Sequence, residues 1–482
     1  MATEVLPLNA QVRSLAGRLD SIAPRFDLGQ GQVEIMRDPA DFYSTLKHKI
    51  STAEKRIFLS SLYIGKSQDE LIECISKALK SRPGLKVHIL TDALRGTREA
   101  PSKSSASMLA NLMKDHESQV DIRMYHTPHL HGLAKRVVPK RFNEGFGLQH
   151  MKIYGFDDEV ILSGANLSSD YFTNRQDRYY LFKSEDLTNY YYKIQSTLGS
   201  LSYKLFHSNN ESKFLLKWPK TNLLSEPTKD PSSFIKGSTE ILTELLAFKK
   251  SSSVIGSDPQ KQTHVYPVSQ FTPLFMQGRD ASTEKKSVLS LLDYLNDTKV
   301  LWNFTAGYFN MLPDIRTKLI AAQSKGTVIT ASPFANGFFK SNGVSKYLPD
   351  AYLYLSKTFL REVYKSGRSD DIKLREWKRG VVNVGDGWSY HAKGLWATAP
   401  GELEPSITII GSSNYTRRAY NFDLETNGVV ITSDPLLKKM MHEEVENLKK
   451  NTEALELNDF KDKDRKIPVG VVWATKLLGK RL

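Results

Sequence analysis

A single cysteine, Cys74, stands in a chain of 482 residues. That scarcity excludes an intramolecular disulfide framework and any zinc or iron–sulfur site built from several thiolates. Long apolar runs are missing too. No stretch reaches the ~18 uninterrupted apolar residues of a membrane-spanning helix, so any membrane contact is expected to be peripheral. Acidic residues are in deficit: 67 Lys and Arg face 53 Asp and Glu, a net charge of +14. Such an excess favours an anionic partner, whether nucleic acid, a phosphorylated substrate or an anionic membrane surface. The first 26 residues hold three arginines but also Glu4 and Asp20, and read as neither a secretory signal nor an organelle presequence.

What is present is ordinary globular material, 40% hydrophobic and 25% charged, enough for a sizeable core. Helix-like periodicity at 41–50 and 70–79 alternates with strand-like runs at 56–64, 86–90 and 120–125. The rhythm returns as helices at 287–295 and 315–322 and strands at 300–304 and 327–330. Between the two series, 217–233 is polar with three prolines. The expected fold is therefore α/β, in two pseudo-symmetric halves, each a mixed β-sheet flanked by helices. The boundaries expected are 1–217 for the first half, 218–235 for a linker or surface excursion, and 236–482 for the second.

The repeat carries chemistry. His150 and Lys152 open a strand-like segment in the first half, followed 16 residues after the histidine by Asn166; His391 and Lys393 do so in the second, followed after 23 by Asn414. A loop at 399–405 accounts for the difference. Eleven residues beyond each asparagine stands an acid, Asp177 or Glu425. Side chains two apart on a strand share a face, so each histidine lies beside its lysine. Gly164 and Ala165, and Ser412 and Ser413, are small enough for backbone to approach an anion.

Brought together about a pseudo-twofold axis, two imidazoles, two ammonium groups and two carboxamides suit a tetrahedral phosphoryl group. One histidine attacks phosphorus while neutral. The other protonates the leaving group and then activates an acceptor hydroxyl. Lys and Asn stabilise the added negative charge. Asp177 and Glu425 are the natural orienters of the rings, and either acid can be assigned to either histidine at this level.

At these residues the chain resembles the phospholipase D superfamily. His150, Lys152 and Asp157 form a complete HxKxxxxD motif, whereas the second copy has Thr398 in the aspartate position. Longer stretches in both halves, at 141–158, 163–180, 303–310, 331–338, 388–396 and 411–427, are similar to the eukaryotic phosphatidylglycerophosphate synthase family. The resemblance implies two phospholipase D-like halves sharing one active site, with His150 as nucleophile, His391 as acid/base and Asp157 as support. It also implies transfer of a phosphatidyl group from CDP-diacylglycerol to glycerol 3-phosphate through a phosphohistidine, without metal or organic cofactor, peripheral to the mitochondrial inner membrane. No nucleic-acid partner is expected on this reading.

Basic and apolar residues interleave just before the first motif, where Lys135, Arg136, Lys140 and Arg141 accompany Val137, Val138 and Phe142; a headgroup-binding loop is expected there. At the C-terminus, 467–482 combines Trp473 and leucines with Lys476, Lys480 and Arg481 in the manner of an interfacial segment. The basic run 357–379 is a second place for an acceptor phosphate, or a charged helix surface. Rival readings are a two-histidine phosphodiesterase acting on nucleic acid, as in tyrosyl-DNA phosphodiesterases, phosphatidyl transfer to serine or water, and a non-catalytic membrane-binding protein.

Overall fold

A computed structural model describes residues 8–98, 103–250, 254–256 and 258–479. Its helices form where apolar stripes and end signals coincide. Pro39–Thr52 starts at Asp38, whose carboxylate accepts from the Ala40 and Asp41 amides, and buries Phe42, Leu46 and Ile50 at four-residue spacing. Asp69–Ser81 buries Leu71, Ile75, Ala78 and Leu79, with acids in its first turn and Lys80 in its last complementing the helix dipole.

Fourteen strands carry the repeat. The first half contributes β1 (Val33–Met36), β2 (Arg56–Ser60), β3 (Lys86–Asp92), β4 (Val120–Tyr125), β5 (Ile153–Phe156), β6 (Glu159–Ser163) and β7 (Tyr179–Lys183). The second contributes β8 (Thr263–Gln270), β9 (Leu301–Ala306), β10 (Lys325–Ala331), β11 (Ile372–Trp377), β12 (Lys393–Thr398), β13 (Ile407–Gly411) and β14 (Glu425–Thr432). The first set lies in the spatial order β4-β3-β2-β5-β6-β7-β1, the second in the order β11-β10-β9-β12-β13-β14-β8. In each, the first three strands of that order run parallel and the remaining pairings are antiparallel. Two edge strands complete each sheet to nine among the described residues. The halves are thus one topology used twice.

The sheets face each other. Ile153, Val160, Leu162, Tyr180 and Phe182 of the first meet Val265, Trp396, Ile410 and Val430 of the second in a shared central core. Neighbours one residue along the same strands, Ile161 and Leu181 or Val429 and Ile431, point outward into two separate cores under the helices. Both faces of both sheets are therefore buried, which explains strands that read as continuous apolar runs rather than alternating ones.

Two expected boundaries shift. The helix Ala10–Leu19 sends Val12, Leu15 and Leu19 into the outer core of the second half, and the strand Phe26–Leu28 pairs antiparallel with β8. The start of the chain therefore belongs physically to the second sheet, because its apolar stripe packs into the same core as Leu291, Leu295 and Tyr266 of the second half. Nor is 218–235 a free excursion. Trp218 Nε1 donates to the Leu224 carbonyl at 2.9 Å, Tyr203 donates to Glu226 at 2.8 Å, and the helix Pro231–Leu246 begins within it and buries Phe234 in the central core. The run 357–379 is also divided: it ends one helix, Leu348–Lys365, and supplies β11, where Trp377 is buried and stacked on Tyr390.

Candidate active site

Each half lends a strand end to the other. The His391 amide donates to the Gln176 carbonyl at 2.8 Å, and the short strand Arg175–Gln176 pairs parallel with Val384–Tyr390 of the second half. In mirror fashion the His150 amide donates to the Leu424 carbonyl at 2.9 Å. The residue following each carbonyl is an acid, so the backbone crossing delivers a carboxylate to the opposite half's histidine. His391 Nδ1 lies 2.6 Å from Asp177 Oδ2, and His150 Nδ1 lies 2.8 Å from Glu425 Oε1. With Nδ1 engaged by an acid, Nε2 of each ring is the nitrogen left for chemistry.

The lysines lie beside their histidines. Lys152 Nζ donates to the His150 carbonyl at 2.6 Å, and Lys393 Nζ lies 3.3 Å from Asp177 Oδ2 and against the His391 ring. All six residues are buried, and burial is the largest single influence on the protonation of each. It draws Lys152 down to about 7 and Lys393 down to about 8. It also draws both imidazoles well below their ordinary value, with the adjacent lysine adding to the effect. The two acids part company. Burial pushes Glu425 up to about 7, despite Lys152 and Ser412. Burial also raises Asp177, but Lys393 and His391 outweigh it and hold that carboxyl below the usual range. One histidine therefore has an ionised partner and the other a partner that is half neutral at pH 7.

A family model described as a cardiolipin synthase, PLD-like domain, matches residues 46–197. The CDP-diacylglycerol–glycerol-3-phosphate 3-phosphatidyltransferase of Saccharomyces cerevisiae is 51% identical over 98% of this chain and 92% of its own length. That of Schizosaccharomyces pombe is 40% identical over 97% and 98%. The human protein of that name, designated mitochondrial, is 31% identical over 95% and 84%. The chain belongs to the CDP-diacylglycerol–glycerol-3-phosphate 3-phosphatidyltransferase family. Among solved structures, phosphatidylserine synthase from Haemophilus influenzae Rd KW20 matches with a TM-score of 0.73 at 18% identity, covering 98% of this chain and 97% of that one, which shows the shared fold.

In this member of the phosphatidyltransferase family, the expected residues divide into those at the centre and those elsewhere. His150, Lys152, Asp177, His391, Lys393 and Glu425 meet there. Asn166 is beside them but committed: its Oδ1 accepts from the Leu62 amide at 3.3 Å and its Nδ2 donates to the Tyr171 hydroxyl at 3.2 Å. Asn414 Oδ1 is buried without a partner among the described residues. Asp157 is not at the centre. It occupies the β5–β6 turn at φ 49°, where its carboxylate accepts from the Glu54, Lys55 and Arg56 amides at 2.7 to 3.0 Å. That turn is the far end of β5 from His150, so Asp157 ties the turn to the backbone at the start of β2, and Thr398 occupies the equivalent end of β12.

The small residues before the asparagines serve another purpose than the one expected. A Cβ at Gly164 would come within 2.5 Å of Asp177 Oδ1 and 2.6 Å of Lys393 Nζ, so Gly164 makes room for the acid–lysine pair. Ser412 uses its hydroxyl to donate to Glu425 Oε2. Sequence reasoning passed over Tyr171, whose hydroxyl is 3.4 Å from His391 Nε2, and Tyr308, whose ring meets the same imidazole edge-on with centroids 5.2 Å apart. It also passed over Arg175 and Arg418. Their signal was their position between asparagine and acid in each copy of the repeat. Lys135, Arg136 and Lys140 are exposed, on the helices Gly132–Val137 and Lys140–Asn143, alongside exposed Leu133, Val137 and Phe142. The side chain of Arg141 lies outside the described residues, as do Lys480 and Arg481.

Proposed function

We propose that the chain moves the phosphatidyl group of CDP-diacylglycerol to glycerol 3-phosphate in two displacements at one phosphorus. His150 Nε2 attacks the phosphorus that bears diacylglycerol, a P–N bond forms, and the bond to the CMP phosphate breaks as His391 donates its proton. His391, now neutral, removes the proton from the glycerol 3-phosphate hydroxyl; an O–P bond forms, the P–N bond breaks, and phosphatidylglycerophosphate leaves. Lys152 and Lys393 balance the charge that grows on the phosphoryl oxygens. The crossed pairing carries this reading. An ionised Asp177 behind His391 stabilises the imidazolium that an acid needs, and Glu425, which accepts from Ser412 on its other oxygen, holds His150 when ionised as the Nδ1–H tautomer whose Nε2 lone pair is free to attack.

The donor is a lipid, and two exposed apolar-and-basic surfaces fit peripheral binding to an anionic membrane. One is the Leu133, Val137 and Phe142 group with Lys135, Arg136 and Lys140. The other is the helix Val469–Leu478, which exposes Val469, Trp473 and Leu477 at four-residue spacing beside Lys476. Among the described residues no helix is long and apolar enough to cross a bilayer. The mitochondrial designation of the human relative extends to this chain, at the inner membrane.

The test uses CDP-diacylglycerol vesicles with glycerol 3-phosphate, serine or water as acceptor and product mass as readout. The expected result is CMP release with phosphatidylglycerophosphate formed only from glycerol 3-phosphate. The His150→Ala protein should fold, bind vesicles and release no CMP; unchanged turnover would refute the nucleophile assignment.

A further inference from the structure

The two halves contain one ion pair with its signs exchanged. Four residues after the asparagine stands Asp170 in the first half and Arg418 in the second; nine after it stands Arg175 in the first and Asp423 in the second. Both pairs form: Arg175 Nη2 to Asp170 Oδ2 and Arg418 Nε to Asp423 Oδ2, each at 3.0 Å. The exchange places a guanidinium on each flank of the site, Arg418 toward His150 and Arg175 toward His391, and each lowers the basicity of its imidazole.

The two arginines are not equally free. Arg418 also donates to the Glu144 carbonyl at 2.8 Å, and its partner Asp423 is sealed in with a side chain only 6% exposed. That carboxylate in turn accepts from the Leu148 amide, so the pair is part of the scaffold below His150. Arg175 is itself only 12% exposed, but its partner Asp170 is 60% exposed. Arg175 is held from behind by Ser389 Oγ at 3.0 Å and lies over the Tyr171 ring at 4.5 Å. The Tyr171 hydroxyl is the one beside His391 Nε2. Gly337 closes the other side, where a Cβ would come within 3.0 Å of Arg175 Nη2 and 3.6 Å of the Tyr308 hydroxyl. A fixed guanidinium whose acid is solvated can exchange that acid for a phosphate at small cost, and planar Arg binds phosphate with two parallel bonds.

We propose that Arg175 is the phosphate receptor on the His391 side of the site: it binds the phosphate of departing CMP and then the phosphate of incoming glycerol 3-phosphate. The inference rests on the two-displacement reading above. In that reading leaving group and acceptor occupy the same side in turn, both are phosphate monoesters, and both exchange their proton with His391. Selection of glycerol 3-phosphate over an acceptor lacking a phosphate follows from the same contact.

The experiment compares the full chain with its Arg175→Gln and Arg175→Lys variants in CDP-diacylglycerol micelles, using glycerol 3-phosphate or glycerol as acceptor and CMP as product inhibitor. Arg175→Gln should raise the KM for glycerol 3-phosphate and the inhibition constant for CMP by at least about tenfold each, and cut the kcat/KM preference for glycerol 3-phosphate over glycerol by at least about tenfold, with Arg175→Lys recovering part of the loss. A KM within twofold of the parent, or an unchanged kcat/KM preference between the two acceptors, would overturn the assignment. If Arg175→Gln does not fold, Asp170→Asn keeps the guanidinium and removes its competitor; the KM for glycerol 3-phosphate should then fall, and an unchanged or raised KM counts against the proposal. Trapping labelled lipid phosphate on the parent's His150 separates the two layers. Its absence would sink the two-displacement reading, whereas its presence with an unaltered Arg175→Gln KM would sink only the receptor.

Discussion

Crossed pairing makes Asp177→Asn and Glu425→Gln inequivalent, and the inequality has a direction in pH. Asp177 is ionised throughout the working range, because Lys393 and His391 outweigh its burial. Replacing it with an amide removes the negative partner that His391 needs when it holds a proton. A hydrogen bond to a charged group contributes ~1.5–3 kcal/mol, and 1.36 kcal/mol is a factor of ten. The expected fall in kcat is therefore about 10- to 150-fold, at the upper end because the pair is sealed from water. Glu425 is already half protonated near 7, so Gln imitates the form it has below that pH. The Glu425→Gln defect should be about threefold or less at pH 6 and should grow as pH rises through 7, while the Asp177→Asn defect stays level. Stopped-time CMP release from CDP-diacylglycerol measures the first displacement. A phosphatidyl ester of p-nitrophenol, whose leaving group needs no proton, completes the test: it should restore the first displacement in Asp177→Asn to within about threefold of the parent and leave Glu425→Gln unaided. Equal losses at every pH, or rescue of Glu425→Gln instead, would refute the division of roles between the histidines.

Other expectations follow from the same geometry. Lys152 near 7 and Lys393 near 8 carry charge only below those values, and burial depresses the proton donor His391 as well, so kcat/KM should fall as pH rises through neutrality, while the acid limb set by the nucleophile His150 lies well below the ordinary imidazole range; a plateau to pH 9.5 in a pH–rate profile would contradict it. Gly164→Ala should leave the fold cooperative by thermal melt and cut turnover by more than about 100-fold, since the new Cβ displaces Lys393 and Asp177. Buried Arg178 pairs with Glu444 at 2.8 Å and donates to the Lys393 and Ile409 carbonyls, so Arg178→Met should cost ~3–5 kcal/mol in denaturant unfolding by stranding Glu444, and Glu444→Leu on top should recover part of it. Asp157→Asn should cost ~1 kcal/mol of stability through its backbone contacts and leave kcat unchanged; a catalytic loss without a stability loss would return Asp157 to the chemistry.

Individual elements were legible because burial imposes a period. The helices at 41–50 and 70–79 and the strand at 120–125 coincide closely with Pro39–Thr52, Asp69–Ser81 and Val120–Tyr125. The six central residues were legible because the same His, Lys and acid recur in order. Their partnership was not, and the reason is symmetry. A repeat read from one sequence is unchanged when the halves are exchanged, so it holds no information on whether an acid serves its own half or the other. That choice is made by the Gln176–His391 and Leu424–His150 backbone contacts, which join residues more than 200 apart. The start of the chain was misplaced for a related reason: the stripe on Ala10–Leu19 states that a face is buried but not which sheet covers it. The asymmetries that give the site its chemistry lie where the repeat is imperfect. Gly164 stands opposite Ser412, Asp177 opposite Glu425, and the Asp170–Arg175 pair opposite Arg418–Asp423. Each departure changes charge or room at one histidine only. Two copies that matched at every position would give two equivalent imidazoles, and only the orientation of the bound substrate would then decide which attacks and which donates the proton.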